Sequence, residues 1–597
     1  MSGHPPGRIE TDSAPPPTPT PYAMEKKSAH TSLSTLVSNL PDGCHFGLLP
    51  KASSRDGDGD DYEDAQRVIW VEFPPNSPNN PFYFHRARKA GITFVAIFFT
   101  LMAAYSSSAF PISAPSMQAE LGTSEQNISA GVALYAFGFG LFPLFLAPIS
   151  EEFGRKWTYI FSVFCFCIFH LMGALGKNTA TVLIGRFLLG GAGSMGATLV
   201  GGTISDIFIP SQRGVPMAMF SFCAVFGTGL GANTMVFAEI HLGWRWVWWI
   251  QMIVIGSLFP LMFLFMKETR ASVLLTRRAR ALRAERGLQD GAPYMSRAET
   301  EKEAFFTAML HSCSRPLVFL AREPTVMFFS AWIALGWGVF YTQIAGIPYI
   351  YRNVYDFGPV AVGMVYWAIC LGAILGMVMN MWTEKMYRRH AAQRGVEARL
   401  YGAMVGGVLF AAGCFICGFT CLPSVHWIAP CIGVVLILTA VMGIYITAFT
   451  YLAECYGIYA SSAIAAQSFC RNMSGGAFSF ITKPMFAKLT VRWSLVLCGG
   501  LAALLALVPF VAFVWGPAIR ARSPYSRQLM AMERERQANE KAEREARGMD
   551  TAGVEDPEGD ANEETIERAT SRQSHHSHRS HRSFRSHRSV REEQEKV

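Results

Sequence analysis

Long runs of apolar residues dominate the middle of the chain, and polar segments occupy both ends. The first run, 92–112, carries no charged side chain. At 1.5 Å per helical residue its length of about 20 residues matches a hydrocarbon core about 30 Å thick. Eleven runs of similar character follow. The predicted transmembrane helices are 92–112, 128–147, 157–175, 182–208, 217–237, 247–265, 326–347, 359–382, 401–421, 428–451, 461–485 and 494–515.

A charged, Arg-rich stretch separates the first six runs from the last six, so the layout of one half repeats in the other. This predicts an all-α integral membrane protein made of two pseudo-symmetric six-helix bundles. The polar ends are rich in Pro, Ser, Asp and Gly or in charge, and cannot bury enough apolar surface to offset ordering entropy. The predicted domains are a disordered tail at 1–88, bundles at 89–266 and 324–516, a central loop at 267–323, and a disordered charged tail at 517–597.

The distribution of positive charge predicts the orientation in the membrane. The net charge is +8, and most Lys and Arg lie in loops and tails beside the apolar runs. Such residues collect on the cytoplasmic side of a membrane protein. The loop after the second run has Arg155 and Lys156, whereas the loop after the first run has neither Lys nor Arg. We therefore expect both termini in the cytoplasm, a multi-pass protein of the plasma membrane, and no nucleic-acid partner.

Catalytic and metal-binding patterns are not found in the sequence. The 13 Cys form no tight spaced cluster, and the Cys414–Cys417 pair lies within an apolar run, where Cys acts as a small hydrophobe. A nucleotide-binding loop, an HExxH motif and a nucleophile placed beside a base are all missing. The sequence thus predicts a protein that is not an enzyme and that holds neither a metal nor a cofactor.

Asn127 begins an Asn-Ile-Ser sequon in the predicted outward loop between the first two spans. Such a sequon accepts N-linked sugar when it is accessible outside the membrane. Its closeness to the second span counts against it. Asn127 is carried forward as a glycosylation candidate.

Two motifs involve charge at or inside the membrane. Glu151, Gly154, Arg155 and Lys156 form an acid-x-x-Gly-Arg-Lys loop after the second span, where Gly permits a tight turn and the charges can latch neighbouring helix ends. Arg186 lies in a Gly-rich apolar run, and an intramembrane Arg costs at least about 2.5 kcal/mol on insertion scales. It should therefore face a polar interior. Both motifs resemble signatures of the major facilitator superfamily.

Further segments narrow this resemblance to the fungal twelve-helix drug:proton antiporters, which include exporters of drugs, polyamines, organic acids and secondary metabolites. GWRWVWWIQMI, KETR and the stretch 451–485 carry it. In the fifth span Gly227 and Gly231 match the antiporter motif, while Thr228 and Ala232 replace its usual prolines. The resemblance implies an efflux pump that exports a small amphiphilic molecule by alternating access, coupled to protons.

The second half offers a counterpart to Arg186. Arg471 lies in the eleventh predicted span, so that each bundle contains one intramembrane cation. Nearby amide and phenol groups could supply hydrogen bonds to a substrate, or could serve only helix packing. The predicted substrate and coupling cavity comprises Arg186, Arg471, Gln343, Tyr341, Tyr349, Gln467 and Asn472.

The sequence does not identify the residue that binds the coupled proton. Spans one, two, seven and eight contain no embedded carboxylate, and Asp206, Glu239 and Glu454 lie near helix ends. Two alternatives remain open: coupling through one of these, or transport without protons. Export of polyamines or organic acids, an uptake facilitator, and a nutrient sensor built on a transporter fold also remain open. The expected partners are a small-molecule substrate, the bilayer and protons, and the expected state is a monomer.

Overall fold

A computed structural model describes residues 40–49, 66–209, 212–287, 292–300 and 305–523, together with 525, 527 and 529. The chain forms two compact units, one of 1–89 and 268–305 and one of 90–267 and 306–597. The predictions for the rest of both tails lie outside the described residues. The elements up to the seventh helix are β1 (Cys44–Leu49), β2 (Gln66–Val71), a 3-10 helix (Pro81–Tyr83), α1 (Arg86–Ile112), α2 (Ala114–Leu121), α3 (Glu125–Phe153), α4 (Arg155–Ala174), α5 (Thr179–Ile207), α6 (Gly214–Leu242) and α7 (Trp244–Phe265).

The remaining elements begin in the predicted central loop. They are α8 (Ala271–Arg286), β3 (Tyr294–Met295), α9 (Arg297–Thr300), α10 (Phe305–Arg322), α11 (Pro324–Asn353), α12 (Pro359–Val365), α13 (Trp367–Arg394), a 3-10 helix (Gly395–Arg399), α14 (Leu400–Thr420), α15 (Ile428–Tyr456), a 3-10 helix (Gly457–Tyr459), α16 (Ala460–Leu505) and α17 (Leu507–Arg522).

Eleven helical runs within the described residues are long and apolar enough to cross a membrane. The first ten cover the first ten predicted spans to within one residue at their ends. The eleventh, Ala460–Arg520, has 61 residues and includes both of the last two predicted spans. It would be about 90 Å long as a straight helix, far more than one bilayer requires. Thr490 interrupts it with φ 67° and ψ 159°. A count of twelve depends on division at this kink and stays a prediction.

Close helix packing organises the membrane unit. A Cβ at Gly190 would lie 2.1 Å from the Tyr135 carbonyl oxygen, and a Cβ at Gly138 would lie 2.2 Å from that of Phe187. Only glycine allows α3 and α5 to approach this closely. The Gly-rich run that follows Arg186 therefore packs α5 closely against α3 at Gly190.

The expectation of a disordered segment at 1–88 is wrong for part of its length. β1 and β2 pair antiparallel, with Phe46 opposite Ile69, and β2 pairs parallel with β3 from the central loop. The cause is a small apolar core that Ile69, Val71, Ala279 and Tyr294 bury between the sheet and α8. Neither segment alone has enough apolar side chains to form this core, which is why the sequence of each reads as polar and unstructured.

Candidate functional site

Arg186 lies on α5 inside an aromatic cage. Its guanidinium carbon is 4.4 Å from the ring centres of Phe110 and Tyr135 and 5.9 Å from that of Trp248. The side chain is 1% exposed. Aromatic faces stabilise a cation that has lost its water, so rings from α1, α3 and α7 offset part of the desolvation cost. Arg186 thus lies inside the first half, as its sequence environment predicts.

Hydrogen bonds hold the Arg186 guanidinium only in part. Its Nε donates to the Gly131 carbonyl oxygen at 3.2 Å, and its Nη1 donates to that of Ser106 at 3.1 Å. The buried Nη2 makes no hydrogen bond in the described structure. A buried donor without an acceptor is costly, so Nη2 is a point at which an acceptor atom would be bound favourably.

Arg471 on α16 has a comparable cage in the second half. Its guanidinium carbon is 4.4 Å from the Trp337 ring centre and 4.7 Å from that of Tyr445. One nitrogen donates to the Ser468 hydroxyl at 3.3 Å, whereas the buried Nε makes no hydrogen bond among the described residues. The two cages contain different rings, so the arginines occupy separate sites, one in each half.

The Tyr341 phenol interacts electrostatically with both Arg186 and Arg471. Its ring packs on α16, where a Cβ at Gly475 would be 2.9 Å from it. Gln343 and Gln467 are each 1% exposed, and their amide nitrogens make no hydrogen bonds within the described chain. Four of the predicted cavity residues therefore bury unpaired N–H donors: Arg186, Arg471, Gln343 and Gln467.

The other two predicted cavity residues lie elsewhere. Asn472 faces α3, since a Cβ at Gly140 would be 2.8 Å from its Cβ, and its amide donates to the Ser468 carbonyl oxygen at 2.9 Å. Tyr349 lines a separate pocket of about 220 Å³ near the ends of α1, α3 and α11, beside Arg352 and Lys483. The structure thus places Asn472 at the contact between the halves and Tyr349 on the lining of this pocket, not among the rings around either arginine.

At the end of the membrane unit that carries this pocket, the two halves are joined. Lys483 on α16 forms a 2.7 Å ion pair with Glu125 at the start of α3. The Gln126 amide donates to the Phe480 carbonyl oxygen at 3.2 Å. A Cβ at Gly363 would lie 2.6 Å from the Val236 side chain, which brings α12 and α6 into contact.

The predicted latch loop turns at Gly154, whose φ of 99° favours glycine. Arg155 begins α4, and its Nε lies 2.6 Å from the Asp206 carboxylate near the end of α5. Lys156 lies over the Trp157 ring at 5.2 Å, and Glu151 is exposed. Arg155 therefore fastens the loop to a helix of its own half.

Three predicted residues remain: Gly227 and Gly231 on α6, which pack against α1, and Asn127 on α3. A Cβ at Gly227 would lie 2.6 Å from the Leu101 carbonyl oxygen, and one at Gly231 would lie 2.2 Å from that of Tyr105. Both glycines thus allow α6 to pack against α1. Asn127 lies in the first turn of α3 rather than in the preceding loop, because the Ser124 hydroxyl caps that helix at the Asn127 N–H.

The three helix-end carboxylates each have a contact. Asp206 pairs with Arg155, Glu239 accepts a hydrogen bond from the Ser116 hydroxyl, and Glu454 lies 2.7 Å from Arg399. The second Glu239 carboxylate oxygen is buried without a hydrogen bond among the described residues. The residue that sequence reasoning missed is His170 on α4, which is fully buried beside the Arg186 cage. The single histidine in the apolar run 157–175 was the available signal.

A helical membrane unit with one buried, caged arginine in each half is the arrangement expected of a membrane transporter. The family profile for the Major Facilitator Superfamily matches residues 94–480. The chain belongs to the Major Facilitator Superfamily. The fold is similar to that of the proton:xylose symporter XylE of E. coli, with a TM-score of 0.52 at 16% identity over 72% of this chain and 96% of that one.

Curated relatives are fungal. The chain is 31% identical to the MFS-type efflux pump MFS2 of Trichophyton rubrum, covering 80% of each. It is 30% identical to the major facilitator superfamily multidrug transporter mdrA of Aspergillus fumigatus, covering 78% of this chain and 76% of that one. It is 28% identical to the probable drug/proton antiporter YHK8 of Saccharomyces cerevisiae, covering 84% and 99%. The predicted resemblance to the fungal drug:proton antiporter group is confirmed.

Proposed function

We propose that this protein is an efflux pump that exports a small amphiphilic molecule in exchange for protons. One observation carries the proposal: four buried N–H donors, on Arg186, Arg471, Gln343 and Gln467, have no acceptor among the described residues, and two of them belong to guanidinium groups held among aromatic rings. Such a lining suits a ligand with a ring or chain for the aromatic faces and oxygen acceptors for the donors. The names of the fungal relatives support export as the direction.

Alternating access is the proposed mechanism. The bundles at 89–266 and 324–516 rock about the region between the Arg186 and Arg471 cages. The ion pair of Glu125 with Lys483 supports an arrangement in which the halves are closed at that end. With both termini in the cytoplasm of a plasma-membrane protein, that end faces outward, and substrate enters from the cytoplasm. The transporter acts as a monomer and performs no covalent chemistry on its substrate.

Arg186 is the residue whose replacement tests the proposed site. Arg186→Lys keeps the positive charge, but an ammonium group cannot donate along both of the observed directions while lying flat between rings. Both Arg186→Lys and Arg186→Ala should reduce efflux at least tenfold while membrane insertion is retained. The assay compares secreted and retained metabolites in a gene deletion that is complemented with each variant.

An exposed arginine supplies the control. Arg388→Ala removes a cation that is two-thirds exposed on α13, and it should leave efflux unchanged. Loss of one secreted product in the deletion strain would indicate a dedicated exporter, whereas broad sensitivity to toxic compounds would indicate a multidrug pump. Full efflux by Arg186→Ala would contradict the site. Depletion of an external nutrient only when the gene is present would contradict export.

A further inference from the structure

His170 on α4 lies where three other helices of the first half meet. Its Nε2 is 3.3 Å from the Ser106 hydroxyl on α1 and 3.4 Å from the Gln251 side-chain oxygen on α7. Its ring centre is 5.9 Å from that of Trp248, one of the rings around Arg186. The imidazole is thus fully buried and adjoins the Arg186 cage. The alternating-access mechanism proposed for this protein does not involve His170.

Both ring nitrogens of His170 face oxygen acceptors. Nδ1 is 2.8 Å from the Phe166 carbonyl oxygen one turn earlier on the same helix. The orientation of the Gln251 amide follows from its other contact, because its nitrogen donates to the Val247 carbonyl oxygen at 2.7 Å. The Gln251 oxygen must therefore point at His170 Nε2, since the reversed amide would place two oxygens together at Val247.

This arrangement can hold the imidazole in either protonation state. A neutral imidazole has a single N–H, which Nδ1 donates to the Phe166 carbonyl oxygen, and Nε2 then accepts from the Ser106 hydroxyl. A second proton on Nε2 would be donated to the Gln251 oxygen, while the Ser106 hydroxyl rotates. Acceptors for both forms are already in place, so proton binding requires only small movements of side chains.

Ser106 also connects His170 to the Arg186 cage. Its hydroxyl contacts the imidazole, and its carbonyl oxygen accepts a hydrogen bond from Arg186 Nη1. Among the described residues facing His170, α5 contributes the charged Arg186 and α3 contributes the Tyr135 phenol behind it. The neighbours from α1 and α7 do not titrate. A proton on His170 would therefore create a second cation beside Arg186, and their repulsion favours release of Arg186 from Ser106.

We propose that His170 is the proton-binding residue of the transport cycle. One proton binds to Nε2 from one side of the membrane and leaves from Nε2 to the other side, and the bound proton weakens the hold of Ser106 on Arg186. This places the proton-binding group beside the Arg186 cage, inside the first half, rather than at a helix-end carboxylate. The inference rests on proton-coupled transport as proposed above, and the first test below is independent of transport.

Trp248 provides a spectroscopic test on the purified full-length protein in nanodiscs. A protonated imidazole quenches the fluorescence of a neighbouring indole, whereas a neutral one quenches it weakly. The chain has 13 Trp, so the Trp248 signal is the difference between wild type and Trp248→Phe. That difference should fall as the pH is lowered from about 8 to about 4, the range in which histidine can titrate in proteins.

The titration must depend on His170. His170→Gln and His170→Asn should each abolish the pH-dependent part of the Trp248 signal. His390→Gln is the matched control, because His390 makes the same contact to a carbonyl oxygen one turn earlier, at 2.9 Å from Met386, and should leave the titration unchanged. A Trp248 signal that is flat with pH, or one that titrates equally in His170→Gln, would overturn the proposal.

A second experiment separates His170 from the proposed function. Vesicles containing the protein are loaded with the aromatic, sulfonate-bearing dye sulforhodamine B, and dye movement is followed with an imposed pH gradient and as dye-for-dye exchange without one. His170→Gln should lose gradient-driven movement at least tenfold while exchange continues. Gradient-driven movement that persists in His170→Gln would refute the role of His170 alone. A wild-type protein that exchanges dye but ignores the gradient would refute proton coupling itself.

Discussion

Arg155 and Asp206 form an ion pair that fastens the start of α4 to the end of α5, with Nε and the carboxylate oxygen 2.6 Å apart. Their side chains are only 7% and 13% exposed. Removal of one partner from such a site leaves a poorly solvated charge, which costs up to about 3 kcal/mol. Arg155→Ala and Asp206→Ala should each lower the unfolding temperature of the purified protein by several degrees.

The two effects should not be additive. The double variant should unfold close to the temperature of either single variant, because the first substitution already removes the interaction that the second would remove. Lys177→Ala, at an exposed loop position, is the control for loss of a cation and should have no effect. Additive losses in the double variant would show that the pair does not act as a unit.

The ion pair between Glu125 and Lys483 gives a prediction about the closed end of the membrane unit. Glu125→Lys places two cations together where the halves meet, and should reduce transport by weakening this closed arrangement. Lys483→Glu in the same chain restores a pair with the charges exchanged and should recover most of the activity. Efflux by each variant, corrected for the amount in the membrane, is the measurement. No recovery in the double variant would contradict a role for the pair.

The compact unit of 1–89 and 268–305 predicts that β2 and β3, which are distant in the sequence, fold together. Ile69→Asp buries a carboxylate in the core shared with Tyr294 and α8, and should unfold the sheet. Hydrogen exchange at β1, β2 and β3 should then rise together, because β2 is the strand that pairs with both others. Arg67→Ala, at an exposed position of the same strand, should change exchange little. Unchanged protection of β3 in Ile69→Asp would refute the shared core.

Glu120 on the short helix α2 predicts a pH dependence outside the membrane spans. Hydrogen bonds from Arg245 and from the Trp244 indole lower the pKa of the Glu120 carboxyl below its ordinary value. A depressed folded-state pKa adds stability above the unfolded pKa, and this stability disappears as the pH falls through the folded one. The group is exposed, so the contribution is below about 1 kcal/mol.

Comparison with Glu120→Gln isolates the pH-dependent stability that the Glu120 carboxylate contributes. Wild type should unfold at a slightly higher temperature than Glu120→Gln at pH 7, and the two should converge in acid below the folded pKa of Glu120. Unfolding temperatures measured across the acidic range in detergent give the comparison. A difference that grows on acidification would have the wrong sign and would reject the assignment.

Apolar runs of about 20 residues were sufficient to predict most of the membrane helices, because a bilayer leaves such a segment few other stable conformations. The same reasoning predicted that Arg186 and Arg471 are buried, since an embedded cation must face the protein interior. The boundary predicted between the last two spans contains Lys488 and Arg492. The structure has a non-helical residue, Thr490, in the same segment, and the division into two spans stays a prediction.

The sequence by itself determined the membrane class, the ten earlier spans and the two caged arginines, because each depends on local hydropathy or on one costly charge. Only the tertiary structure decided which groups meet. Ser106 and Gln251 lie 64 and 81 positions from His170. β2 pairs with β3, although the whole first bundle separates the two strands in the sequence. Such contacts follow from the packing of several helices and strands at once, and no single segment encodes them. His170 therefore emerged as a candidate proton site only in the folded protein.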